Sequence, residues 1–295
     1  MMQPEAKIDL HCHSYYSDGT TSPAALLMQA AENGVTHLAI TDHDCTDGLE
    51  ELSRHKEQGQ RTPTLIEGVE ISCDWQGLEI HVVGLFVDRH DLTLKDLLQT
   101  QQQARKHRVQ TMAAKLESLG TPGLMDYLEG LPATAYTRSH VANFLVQEQV
   151  VKSRQKSFKS HLGKRGKIYV AANWCTLEVA IATVNAAGGF AVLAHPGRYP
   201  LNKKKLEALA QAFKACGGVG IEGSYPNIDP NMMKRLELLA RQEDLLLSGG
   251  SDFHDPAARW TELGKFPRFG ISAQTIGVWT HPIWQARIAE EQGRC

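Results

Sequence analysis

The sequence has no paired cysteines: its six (Cys12, Cys45, Cys73, Cys175, Cys216, Cys295) fall singly, without a C-x-x-C pair or disulfide-framework spacing. That excludes a Cys-rich zinc module and a stapled secreted fold, and reads as free thiols in a reducing compartment. Long apolar runs are missing too. Stretches such as Val219-Gly220-Ile221 are strand-sized, far below the roughly 20 residues of a membrane span. Met1-Met2-Gln3-Pro4-Glu5 has no basic region followed by an apolar one, so no secretory leader is expected and a cytoplasmic location is. Neither sign of charge dominates, since 31 Lys and Arg stand against 33 Asp and Glu. The net charge of -2 excludes a surface that is basic overall, as general nucleic-acid coating requires, but leaves room for a local basic groove. There is no internal repeat and no low-complexity segment.

What is present fits a globular chain. At 295 residues, 42% hydrophobic and 22% charged, it can bury one large core or two modest ones. Apolar runs of strand length lie at Lys7–His13, His37–Thr41, Thr64–Ile71 and Glu79–Leu85, and again at Ile168–Val170, Phe190–Ala194, Gly220–Gly223 and Leu245–Ser248. Helix-patterned stretches separate them. Ser22-Pro23 opens one as N-cap and first helical residue, and others run over Leu177–Ala187, Leu206–Ala215 and Met232–Arg241. This alternation predicts an α/β fold, a (β/α) barrel of about seven strands. Between residues 93 and 165 the pattern turns helical, from Leu94 to Leu119, and stops at Gly120-Thr121-Pro122-Gly123. Residues 1–92 and 166–295 are therefore read as the barrel, and 93–165 as a mainly helical insertion.

The polar residues fall where chemistry is expected. His11 and His13 stand two apart in an apolar strand, so their side chains share a face. Alone, that pair fits a hydrogen-bonded core as well as a metal site. The same placement recurs, however, in Asp42-His43-Asp44, Glu70, His81, His195, and Asp252 with His254, each at or near the carboxyl end of a strand. In a barrel those ends form the active-site mouth. One such residue is ordinarily a core histidine or a helix cap; six positions in register point to ligands. Imidazole and carboxylate without thiolate suit zinc, manganese or iron. The pool exceeds the needs of one ion, and clustered ions clamp the attacking and leaving oxygens of phosphoryl transfer.

In order along the chain, Asp9-Leu10-His11-Cys12-His13-Ser14, Thr41-Asp42-His43-Asp44, Gly68-Val69-Glu70, His195-Pro196 and Ser251-Asp252-Phe253-His254 resemble the motifs of the PHP (polymerase and histidinol phosphatase) superfamily. The resemblance implies a distorted seven-stranded (β/α) barrel with up to three metal ions. It implies His11, His13, Glu70 and Asp252 on one ion, Glu70, His81 and His195 on a second, and Asp18, His43 and His254 on a third. Mn2+ is the expected ion, and Zn2+ or Fe2+ accept the same ligands. Asp42 and Asp44 fall outside the set, and one of them is expected to orient His43.

His195-Pro196-Gly197-Arg198-Tyr199, Thr137-Arg138-Ser139-His140 and Gly163-Lys164-Arg165-Gly166-Lys167-Ile168-Tyr169-Val170 are similar to a bacterial branch of 3',5'-nucleotide bisphosphate phosphatases that also act as 5'-to-3' exoribonucleases. This implies nucleotide bisphosphates and short RNA 5' ends, ribosomal RNA precursors included, as substrates, and no obligate protein partner. Arg138, His140 and Arg198 are expected to hold phosphates, since Arg forks match phosphate oxygens. Asp252 and His254 are the candidates to manage protons at the leaving oxygen. Both belong to the implied ligand set, so the general acid stays unassigned. Lys164–Lys167 reads as a solvated loop, with phosphate contact the lesser reading; Arg105-Lys106-His107-Arg108 reads as a solvated helical face, and Trp174 as core packing before base stacking.

Three other readings stay open. Amidohydrolase barrels also begin with H-x-H but use a modified lysine on a central strand, and Thr64–Ile71 and Glu79–Leu85 contain none. A histidinol-phosphate-type phosphatase is the rival within the superfamily. A non-catalytic metal-binding module would be expected to have lost ligands, and all nine are kept.

Overall fold

The computed structural model describes residues 7–54, 62–270 and 275–293; Met1–Glu5 and Cys295 lie outside them. Among the described residues eight strands occur in chain order: β1 (Ile8–Asp9), β2 (His37–Ile40), β3 (Thr64–Trp75), β4 (Leu78–Leu85), β5 (Cys175–Thr176), β6 (Phe190–Leu193), β7 (Gly220–Ser224) and β8 (Leu246–Gly249). Seven follow one another round a nearly closed barrel as β1-β2-β3-β4-β6-β7-β8, while β5 pairs with β3 off that path. β4 runs antiparallel to both its neighbours and the other pairings are parallel. That reversal is what distorts the barrel, because Gln76-Gly77 joins β3 and β4 as a tight hairpin where a helix crossover would be needed to keep the strands parallel. The circuit closes through loop backbone, with Leu10 N donating to Gly249 O, Asp252 N to His11 O and His13 N to Phe253 O.

Alternation along the strands builds two apolar layers. Val83 and Leu85 share a face with Glu70, and with Phe190 and Val192 they fill one cluster. Val69, Ile71, Val82 and Leu193 face the other way and pack with Leu177, Ile181 and Val184 of a flanking helix.

The helices are α1 (Pro23–Glu32), α2 (Asp47–Arg54), α3 (Leu92–Ser118), α4 (Leu124–Glu129), α5 (Arg138–Gln147), α6 (Arg154–Ser157, continued by a π-helical turn Phe158–Leu162), α7 (Leu177–Ala186), α8 (Lys203–Ala215), α9 (Pro230–Gln242) and a C-terminal Pro282–Gln292. Ser22 caps α1 as expected, accepting from Ala25 N with Pro23 at the first helical position. α3 spans two cores. Its Leu94 and Leu98 join the barrel cluster, whereas Val109, Met112 and Leu116 join a separate cluster with Leu124, Leu128, Phe144, Leu145, Leu162 and Ile168.

Three expectations are corrected. The first strand stops at Asp9 rather than His13, because residues 10–13 lie against the irregular segment 249–253 and keep only the Cys12–Phe253 bridge. Ile168–Val170 is not a strand: Ile168 packs in the helical cluster, and the Tyr169 and Val170 carbonyls accept from the Lys115 and Arg108 side chains instead of a ladder. The run Arg105–Arg108 is not a solvated face throughout. Lys106 and His107 are exposed, but Arg105 and Arg108 are buried, with Arg105 Nη2 2.7 Å from Asp44 Oδ2 and both guanidiniums over the Trp174 ring. Trp174 is itself buried there. Among the described residues no helix is long and apolar enough to cross a membrane.

Candidate metal centre

The strand ends deliver the nine side chains to one place. His11 and His13 share a face as their spacing requires, with Nε2 atoms 3.1 Å apart. Cys12 between them points away and donates to Ala39 O, so the histidine pair contains no thiol. β3 brings Glu70 into the middle. Its Oε1 lies 3.0 Å from both His81 Nδ1 and His195 Nε2; its Oε2 lies 3.4 Å from His11 Nε2 and His13 Nε2 and 2.9 Å from His43 Nδ1. Asp252 Oδ1 stands 3.3 Å from His13 Nε2 and 3.5 Å from His11 Nε2. On the far side Asp18 Oδ1 is 3.2 Å from His254 Nε2 and 3.7 Å from His43 Nε2.

Backbone strain aims three of these loops. Asp44, His195 and Asp252 follow β2, β6 and β8 respectively, each with a positive φ of 47°, 30° and 46°. For residues other than glycine that conformation is costly and persists only where the surroundings enforce it. Gly250 lets the β8 turn approach, since a Cβ there would meet His11 Cβ at 2.4 Å and His11 N at 2.6 Å.

Whether the pocket fits metal ions is tested by its unsatisfied atoms. Glu70 Oε2, His43 Nδ1, Asp18 Oδ1 and His195 Nδ1 are buried without an aligned hydrogen bond. Buried polar atoms are otherwise paired almost without exception. Donor atoms about 2.1 Å from one tetrahedral ion stand about 3.4 Å apart, and the separations here are of that order. Among the described residues three groupings have donor atoms close enough to share an ion: His13, Asp18, His43 and His254; His11, His13 and Glu70; and His43, Glu70 and His81. The residues fit divalent ions of the oxygen- and nitrogen-preferring kind.

The buried ionisable groups of the centre shift one another's pKa values. Burial disfavours the Glu70 carboxylate, yet His43, His11 and His81 hold its pKa well below the usual range. Burial likewise opposes the charged form of His81 and His254, but Glu70 and Glu79 lift His81 to about 10, and Asp18 and Asp252 lift His254 to about 9. His13 goes the other way, to about 3, because burial, His254 and His43 outweigh Asp252 and Glu70.

The residues expected to touch substrate line the rim unequally. Arg138 opens α5 and lies 3.3 Å from Glu79 Oε1, its side chain one-third exposed. Arg198 pairs with Asp252 Oδ2 and stacks over Tyr225 at 5.0 Å. His140 sits deeper than a substrate contact requires: it is 6% exposed, and its Nδ1 accepts the Thr137 N–H at 3.0 Å, closing the capping box of α5. Thr137 Oγ1 in turn donates to Asp18 Oδ2, so this helix starts on the metal centre.

Neither neighbour of His43 hydrogen-bonds to it. Asp42 accepts from Ser14 N, Ser14 Oγ and Ser17 Oγ, and Asp44 from Ser72 N and Arg105. Sequence reasoning passed over Glu222, whose Oε1 is 2.8 Å from His11 Nδ1 and whose Oε2 accepts from His195 N at 2.6 Å. The signal was there: a glutamate inside the apolar strand Gly220–Ser224, the same pattern that marked Glu70. Glu79, between Arg138 and His81, was also missed.

Comparison with known proteins agrees with this geometry. The PHP domain family matches residues 9–222. A 5'-3' exoribonuclease of Haemophilus influenzae is 40% identical over 92% of this chain and 98% of its own length. A 3',5'-nucleoside bisphosphate phosphatase of Chromobacterium violaceum is 36% identical over 96% of this chain and 98% of its own. A solved structure from Chromobacterium violaceum, described as an amidohydrolase with bound sulfate and no metal, superposes with a TM-score of 0.85 at 34% identity, covering 96% of this chain and 97% of that one. A match of this extent, on a barrel whose mouth gathers these histidines and carboxylates, shows that the chain belongs to the PHP domain family, as a phosphoric ester hydrolase.

Proposed function

We propose that the protein hydrolyses 3',5'-nucleotide bisphosphates, pAp giving AMP and phosphate, and removes nucleotides stepwise from RNA 5' ends, ribosomal RNA precursors among them. The observation that carries this reading is Glu70 Oε2, a buried oxygen without a hydrogen bond and ringed by nitrogens of His11, His13 and His43. Three ions are assigned: one to His11, His13, Glu70 and Asp252, one to Glu70, His81 and His195, and one to Asp18, His43 and His254. Manganese is the ion proposed, and the cytoplasm is the proposed location. Bound there, such ions would lower the pKa of a water and draw charge from phosphoryl oxygens.

The chain's own groups do the rest. Arg138 and Arg198 flank the centre and bind the substrate's phosphates, Arg198 exchanging Asp252 for a phosphate oxygen. His140 acts through Arg138, since its ring closes the cap that starts α5. Glu79 holds Arg138 on the His81 side of the mouth until substrate arrives. Asp252 and His254 are the candidates to manage the proton at the leaving oxygen; both are assigned to ions, so the general acid stays unassigned. The segment 93–165 supplies Arg138 and roofs that side of the site.

The test is to load the protein with manganese and supply pAp and, separately, a short 5'-phosphorylated RNA. Chelator-sensitive release of phosphate from pAp and of mononucleotides from the 5' end supports the reading. Inertness towards both substrates with manganese fully loaded removes the substrate assignment.

A further inference from the structure

The charge of the chain is distributed unevenly. Seven of its 31 Lys and Arg (Lys152, Arg154, Lys156, Lys159, Lys164, Arg165, Lys167) and none of its 33 Asp and Glu fall between Gln149 and Leu177. All seven side chains are exposed, and none forms an ion pair with a carboxylate among the described residues. Ser157, His161 and Leu162 turn inward from the same helix, and Ser157 Oγ donates to Ala142 O, so the basic groups sit on one side of a fixed element. An eighth cation joins from α3, where Lys115 Nζ donates to Tyr169 O.

This basic face is anchored to the metal centre at both ends. At one end Ser157 Oγ donates to Ala142 O of α5, the helix whose cap residue Thr137 donates to Asp18. At the other end the Val170 carbonyl accepts from Arg108 Nε; Arg108 lies 3.8 Å from Glu79, and Glu79 3.9 Å from His81.

On the reading of the protein as a 5'-end ribonuclease, we infer that the 152–167 face of the insertion is an exosite for the RNA backbone, binding phosphates on the 3' side of the nucleotide being removed. Free bisphosphates are too short to reach it. The face therefore sets the preference for RNA over mononucleotide while taking no part in the chemistry. Clustered unpaired cations on a chain that is otherwise acidic fit a flexible polyphosphate, whose binding releases counterions and weakens with salt.

The test uses the full-length manganese enzyme and the triple variant Lys164→Glu, Arg165→Glu, Lys167→Glu, with Lys152→Glu, Lys156→Glu as a second, independent pair. On a 5'-phosphorylated 20-nucleotide RNA at low salt, kcat/KM is expected to fall at least tenfold in the triple variant, with pAp turnover within twofold of wild type. The wild-type RNA rate should fall with log salt by a slope of about -0.7 for each phosphate engaged, and the variants should flatten that slope. Fluorescence anisotropy of labelled RNA on metal-free protein reads binding apart from activity, and should show the same loss. RNA rates and binding within twofold of wild type in both variants overturn the exosite, as does an equal loss on pAp and RNA. Loss on Trp260→Ala with the charge variants unaffected also overturns it, placing the exit in the cleft lined by Arg198, Tyr225 and Trp260. A wild-type enzyme that ignores both substrates removes the ribonuclease reading itself, which is a separate result.

Discussion

Glu222 Oε1 lies 2.8 Å from His11 Nδ1, and its other oxygen accepts the His195 backbone N–H, so one buried side chain on β7 orients the His11 ring and fixes the backbone that carries His195. Such partners set the tautomer and basicity of a ligating histidine. Glu222→Gln is expected to weaken metal binding about 10–100-fold while leaving the fold intact. Metal titration of the chelated protein checks this, and an unchanged affinity would remove Glu222 from the centre.

Arg138→Ala deletes charge-assisted contacts to phosphate, each worth about 1.5–3 kcal/mol, so kcat/KM on pAp is expected to fall about 10–100-fold. Steady-state kinetics on pAp provide the check. Unchanged turnover and KM would mean that phosphate is held elsewhere.

In the metal-free protein His81 stays protonated to about pH 10 and His254 to about pH 9. Ligation needs neutral imidazole, so metal uptake at pH 8 displaces protons from both and affinity weakens as pH falls. Calorimetry in buffers of different ionisation enthalpy should show heats that scale with proton release. Identical heats in all buffers would contradict the charged state of these rings.

Asp44 and Arg105 form a buried pair, with side chains 0% and 6% exposed. Asp44→Asn strands the guanidinium and is expected to cost about 3–5 kcal/mol of stability, measured by urea unfolding. Adding Arg105→Met should restore part of the loss. A double variant as unstable as the sum of the singles would show that the pair is not the cause.

Much of the site could be read along the chain. His11, His13, Glu70, His81, His195 and Asp252 each interrupt or end an apolar run, and the two-residue alternation of a strand says which way they point. The first strand is shorter than its apolar run, and Ile168–Val170 is no strand, for the same reason. An apolar run says that a segment is buried but not which backbone it pairs with, and side chains of Lys115 and Arg108 took the place of a ladder.

By itself, then, the sequence determined which donors reach the barrel mouth, because strand periodicity and strand ends are local properties spanning a few residues. Tertiary structure alone decided who steadies them. Glu222 meets His11 across 211 residues of chain, and Arg105 meets Asp44 across 61, in pairings that no local pattern encodes. It likewise decided that Arg105 and Arg108 turn inward while the cations of 152–167 stay in water. A charge is buried only where the fold supplies a partner, and that partner arrives from elsewhere in the chain.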